Sequence, residues 1–200
     1  MSEPLSVLQT QLVHNVHRRA TTMLVEAAAD PAVPVGALAT LREFLVSNLH
    51  HHHETEDNDL WPLIKEADPE AALRMTELTG EHNILDEALE TLLRADLNDR
   101  EFFTGAAEAV RDVVHRHLVD EEPVLLPALR DHLSPEAWNG FAAHVAATAP
   151  TAHRHLMIGF MDLAGTGEQI EVMLGALPLP LLARLRDEAK EAFASLQGRA

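Results

Sequence analysis

Two stretches of this sequence carry the same pair of side chains able to hold a metal ion. His52 stands four residues before Glu56, and His117 stands four residues before Glu121. On an α-helix that spacing places the imidazole and the carboxylate on one face. Two further histidines, His14 and His82, precede the pairs at matching places. A buried carboxylate without a partner is costly, and a buried imidazole must also be satisfied. Four imidazoles and two carboxylates meeting at one depth are relieved by a cation that accepts lone pairs from all six. Oxygen and imidazole nitrogen together suit iron, manganese or zinc. The chain has no cysteine, which removes thiolate sites, disulfide scaffolds and cysteine nucleophiles.

The elements that position these groups repeat. With an offset of 65 residues His50, His52, Glu56, Leu60 and Pro62 fall on His115, His117, Glu121, Leu125 and Pro127. Lys65 and Glu66 meet Arg130 and Asp131, alike in charge, and Glu43 meets Glu108. Upstream the offset is 68: His14-Asn15-Val16 lies over His82-Asn83-Ile84, Ala20 over Ala88 and Leu24 over Leu92. A loop three residues longer in one copy accounts for the change. The chain reads as a tandem helix hairpin.

Breakers set the helix limits. The first helix is expected over about Leu5–Ala29, ending at Asp30-Pro31-Ala32-Val33-Pro34; the second runs from about Val35 to Lys65. A third covers about Pro69–Ala95, and a fourth about Glu101–Asp131. The predicted fold is all-α, an up-down-up-down four-helix bundle over residues 1–132. Ser134-Pro135-Glu136 then supplies an N-cap, a proline at the first helical position and an acidic first turn. Residues 133–200 form a C-terminal helical extension of two or three shorter helices, whose amphipathic stretches such as Met157–Leu163 cover the bundle.

The polar groups sit inside apolar seams. One seam reads Leu45, Leu49, His52, Glu56 and Leu63; another reads Val110, Val114, His117, Glu121 and Leu125. The third helix gives Met75, Leu78, His82, Leu85, Leu89 and Leu92. A single His-x-x-x-Glu is commonly a surface pair contributing about 0.2–0.5 kcal/mol. The run His50-His51-His52-His53 alone would fit a solvated stretch. Two motifs with matching flanks and matching upstream histidines are far harder to read that way. His50, His51, His53 and His115 are assigned to the surface or to groups behind the ligands, and His144, His153 and His155 to the surface. His17 lies about one turn beyond His14, and helix periodicity does not separate the two; the repeat alignment favours His14. Trp61 and Met23 read as packing.

The order His14, His52-x-x-x-Glu56, His82, His117-x-x-x-Glu121 resembles the haemerythrin-like, HHE cation-binding family. Leu60-Trp61-Pro62, Glu81-His82-Asn83 and Glu121-Glu122-Pro123-Val124-Leu125-Leu126-Pro127 look like its helix-end signatures, and the resemblance covers about residues 5–130. It implies a pair of iron ions with an oxo or hydroxo bridge, bridged also by Glu56 and Glu121, with His14, His52, His82 and His117 as terminal ligands. Two departures stand out. Asp86 occupies the place of a further histidine found in the invertebrate oxygen carriers, and Glu121 is a glutamate one residue nearer its histidine than their aspartate. The remaining donors leave an open position on each iron, which permits chemistry as well as binding.

The expected function is therefore that of a redox-active di-iron protein binding or reducing dioxygen, hydrogen peroxide or nitric oxide, with a catalase-like activity among its forms. A non-catalytic oxygen or iron sensor or carrier is the alternative, and a zinc-containing or metal-free structural bundle the third reading. The net charge of −17 argues against nucleic acid and anionic membrane partners. No signal peptide or membrane span is visible, so a cytoplasmic location is expected.

Overall fold

The computed structural model describes residues 3–199, apart from the side chains of Thr76 and Glu77. Its helices are α1 (Leu5–Ala29), α2 (Val35–Thr55), α3 (Trp61–Ala67), α4 (Pro69–Arg94), α5 (Arg100–Asp131), α6 (Pro135–Thr148), α7 (Arg154–Ala164), α8 (Gly167–Leu174) and α9 (Leu179–Leu196), with a π-helical turn over Glu56–Leu60 joining α2 to α3. The described residues contain no strand.

The limits follow from local chemistry. Asp68 accepts from the backbone of Glu70 and Ala71 ahead of Pro69 and so starts α4. Asp99 caps α5 through Phe102, Ser134 caps α6 through Ala137, and Thr166 with Gln169 forms a capping box on α8. Three breaks, at Ala149-Pro150, Gly165 and Pro178, divide the segment after residue 133 into four helices rather than the expected two or three.

The long helices close a ring: α1 packs on α2 and α5, and α4 packs on α2 and α5. Side-chain to backbone bonds fix the direction of two pairs. Ser6 near the start of α1 donates to the Leu129 carbonyl near the end of α5, while Arg100 at the start of α5 donates to the carbonyls of Ala28 and Val33. Arg42 in the first half of α2 donates to the carbonyl of Ala95, just past α4. α1 and α5 therefore run antiparallel, and so do α2 and α4.

Two apolar clusters fill the ring. One contains Leu12, Val16, Leu49, Leu85 and Leu118, and the other Val7, Leu60, Leu78, Leu125 and Leu129. His52, His53 and Glu56, His82, and Glu121 fall in sequence between residues of the two clusters, while His14 and His17 on α1 and His117 on α5 interrupt the first cluster near its edge. The helices after residue 133 add to these clusters instead of building a separate one. Leu156, Phe160, Leu174 and Leu185 join the first, and Trp138 joins the second. Each fully buried Leu or Phe contributes roughly 1.5–3 kcal/mol. Phe160 stacks on Phe44 with ring centroids 5.6 Å apart. Gly159 permits the close approach of α9 to α7, because a Cβ there would lie 2.7 Å from Ala189 Cβ and from the Phe193 ring.

The second expected helix is where the structure differs most from the periodicity. The π-helical turn bonds the Trp61 N–H to the Glu56 carbonyl, one residue further back than an α-helix would. Every position beyond it is rotated by one residue. Ile64, not Leu63, becomes fully buried, which corrects the seam. Pro62 and Pro127 hold equivalent repeat positions, yet α5 passes through Pro123 and Pro127 as one helix, so proline alone does not create the turn.

Candidate metal centre

All six side chains singled out by the motif reach the polar layer between the two apolar clusters. His14, Glu56, His82, His117 and Glu121 are buried, and His52 is largely so. Among the described residues, three sets of possible ligand atoms each lie within 4.8 Å of one another: His14, His52 and Glu56; Glu56, His117 and Glu121; and His53, His82 and His117.

The carboxylates occupy the middle. Glu56 reaches His52 Nε2 through one oxygen, at 3.3 Å, and His82 Nε2 through the other, at 3.7 Å. Glu121 Oε2 lies 3.6 Å from His14 Nε2 and 3.5 Å from His117 Nε2. Each glutamate thus touches the histidine of its own helix and one from the other hairpin. His82 Nε2 and His117 Nε2 are 3.2 Å apart. Donor atoms sharing one cation at bonds of about 2.0–2.2 Å stand roughly 3.0–3.5 Å from each other. These separations, 3.2–3.7 Å, are close to those of ligand atoms grouped around a cation.

Carboxylates behind the imidazoles set their orientation. His14 Nδ1 is 3.0 Å from Glu122, whose other partner is Arg18 at 2.7 Å, and His117 Nδ1 is 2.8 Å from Glu81. With Nδ1–H donating outward, each ring points its Nε2 lone pair inward, the arrangement by which outer carboxylates tune metal-ligating histidines. His82 Nδ1 lies 3.1 Å from Asp57 Oδ1, off the line of a hydrogen bond. Five of the inward atoms lack protein hydrogen bonds: His14 Nε2, His52 Nε2, Glu56 Oε2 and both Glu121 oxygens are buried and unbonded. Unpaired buried polar atoms are rare in native proteins, and five of them converging on one layer is the signature of a site that fits a cation.

Electrostatics agree. Burial drives His52 well below the usual histidine range, helped by His17 and His14, and lowers His117 to about 4 against the pull of Glu121. Both rings are held neutral, the form that ligates metal. Burial and the adjacent Glu121 raise the Glu56 carboxyl, as expected for two carboxylates crowded together without a counter-charge. Burial would raise Glu122 as well, but the bonds from His14 and Arg18 outweigh it and hold the carboxyl at about 2.

The hemerythrin HHE cation-binding domain model matches residues 9–129, more than half of the chain. The chain belongs to that family. Searches against curated proteins and against solved structures returned no match. The match to the HHE domain takes in every residue of the polar layer and stops before α6, so α6–α9 lie beyond it.

Two histidines change the picture within this HHE domain. His53, assigned from the sequence to the surface or to a place behind the ligands, is buried at 4% exposure, and its Nδ1 has no partner. It stacks on His82 at 4.3 Å and joins His82 and His117 as a possible donor. The signal was present, since residue 53 lies three before Glu56 and so shares its face as well as residue 52 does. His17, the rival of His14, is buried too, its ring 4.7 Å from His52, yet it enters none of the three sets. Burial, with His14 second, lowers it to about 3. Asp86 is half exposed, pairs with His50 at 3.5 Å and enters none of the three sets.

Proposed function

We propose that this protein is a non-haem di-iron protein that binds or reduces a small oxidant: dioxygen, hydrogen peroxide or nitric oxide. His14 and His52 would hold one iron, and His82, His117 and His53 the other. Glu56 and Glu121 would bridge them beside an oxo or hydroxo bridge. The same reading takes residues 1–132 as an up-down-up-down four-helix bundle and residues 133–200 as an extension packed on it. The observation that carries the proposal is the central placement of the two glutamates, each between histidines of both hairpins.

When bound, an iron pair supplies one electron from each ion, the two needed to take dioxygen to peroxide or peroxide to water. The protein's own residues do the rest. Glu122 and Glu81 keep the protons of His14 and His117 on Nδ1, leaving Nε2 free. The apolar clusters on both sides limit the access of bulk water to the polar layer. His53 gives the His82 side a third imidazole, which concentrates any open position on the His14 side and amends the even division expected from the sequence.

The test is anaerobic loading of the full chain with ferrous iron, followed by air. Charge-transfer bands in the near ultraviolet are expected, with about two irons per chain. Oxygen evolution on adding peroxide favours the enzyme, and reversible spectral change without turnover favours the carrier or sensor. Failure to retain iron, with fold and stability unaltered, overturns the proposal.

A further inference from the structure

A cavity of about 350 Å³ lies between α1 and α2 on one side and α6, α7 and α8 on the other. Its bundle wall includes His17, His52 and Glu56, so it abuts the His14 side of the polar layer. Its opposite wall is apolar, with Trp138 and Phe141 from α6 and Met157, Met161 and Met173 from α7 and α8. Half of the six methionines in the chain are gathered there. Methionine is flexible and polarisable, and surfaces rich in it adapt to varied apolar partners.

Charge narrows the occupant. No lysine, arginine or aspartate lines the cavity, and its one glutamate is Glu56, already engaged with His52 and His82. Neither an anion nor a cation finds a matching group, and the chain's charge of −17 repels anions further. Three lining residues carry unbonded buried atoms, and since His52 Nε2 and Glu56 Oε2 belong to the candidate metal layer, His17 Nδ1 is the one left over. His17 is 2% exposed, with its Nδ1 unbonded, and it forms part of the wall. An apolar pocket of a few hundred cubic ångströms with few polar groups is the usual form of a small-molecule site. A protein partner would instead need about 800 Å² of surface on each side.

We propose that this cavity binds a small, uncharged, mainly apolar organic molecule, on the order of a dozen heavy atoms, with one hydrogen-bonding group directed to His17 and its body among Trp138, Met157, Met161 and Met173. The site is formed jointly by the HHE domain and the helices beyond its match, and it opens toward His52. It gives the proposed di-iron centre a neighbouring organic ligand, but occupancy of the cavity does not depend on metal. The two readings can therefore fail separately.

The experiment titrates the full chain, metal-free and iron-loaded, with the neutral fluorophore N-phenyl-1-naphthylamine. Saturable binding of one molecule per chain is expected in both forms. Energy transfer from tryptophan should accompany it and fall in Trp138→Phe. Ala146→Trp, at an exposed position of α6 on the cavity wall, should weaken binding at least tenfold. Met173→Trp repeats the blockade should the first variant misfold. The anionic 1-anilinonaphthalene-8-sulfonate should bind at least tenfold more weakly than the neutral probe. His17→Leu should cost 1-naphthol at least fivefold in affinity and leave naphthalene unchanged. Non-saturable binding, equal binding of the sulfonate, or indifference to both blocking variants overturns the proposal, whatever the metal content proves to be.

Discussion

On one side of the polar layer His14 meets His52; on the other, His82 meets His117. The two pairs come from the two hairpins, and Glu56 and Glu121 cross between them in the same way. What surrounds the pairs is not the same. By the 65-residue offset, His53 corresponds to Leu118, and by the 68-residue offset, His17 corresponds to Leu85. Leu118 and Leu85 are buried in the first apolar cluster, whereas His53 and His17 carry unbonded buried nitrogens. The His82 side gains an imidazole stacked against it, and the His14 side gains one beside a cavity. The repeat accounts for the matching placement of the two glutamates, and these two positions, where the copies disagree, set the sides apart.

The most damaging break removes what the sides share. Glu121→Ala or Glu56→Ala should abolish paired metal binding, with affinity falling more than about 100-fold, beyond the 10–100-fold typical of groups behind the ligands. Elemental analysis after desalting checks this. Next, His53→Leu copies the residue of the other repeat and should remove the His82-side ion first, leaving about one iron per chain. An unchanged iron content would erase the asymmetry. Glu81→Gln and Glu122→Gln keep shape but remove the charge behind His117 and His14. Each should lower metal affinity about 10–100-fold, and each on its own side. Competition with a calibrated chelator measures the loss.

Acid should act on the metal-free protein in a defined direction. His17, His52, His53 and His117 are all lowered by burial from 6.5, to about 3 for His17 and about 4 for His117. Between those values and 6.5 the unfolded chain binds more protons than the folded one, so stability falls as pH falls through that window. Glu56 is shifted upward and opposes this, as its contribution is present below 4.5 and is lost as pH rises. Four imidazoles outweigh one carboxyl, and the Tm of the metal-free chain should drop by about 5 °C or more between pH 7 and pH 5. Bound metal should blunt the drop. The smallest effect belongs to Asp86→Asn. Its side chain is half exposed and its contact with His50 is long at 3.5 Å, so thermal melting should show a change within about 1 kcal/mol and metal content should not move.

Much of this was readable from residue spacing, and the failures have physical causes. In α5 and α4 the seams through His117 and His82 are buried throughout, because both are unbroken α-helices with a constant period. In the helix holding His52 the period holds up to Glu56 and then slips by one residue at the π-helical turn, so Leu63 gave way to Ile64. No propensity marks that turn, since the proline beside it has an equivalent in a straight helix. His53 was hidden by its neighbours: within four consecutive histidines, alignment to the other copy selects His52 and has no partner for His53. The four helices after residue 133 were undercounted although every breaker was visible. Their joint packing with α1 and α2 depends on contacts between distant residues that spacing does not encode.

The claim that two cations share the Glu56–Glu121 layer is tested most directly by anaerobic calorimetric titration of the metal-free full chain with ferrous iron. Two equivalents should bind to the wild type, and Glu121→Ala should lose both. A single equivalent unaffected by that substitution, or no binding at all, would contradict the account.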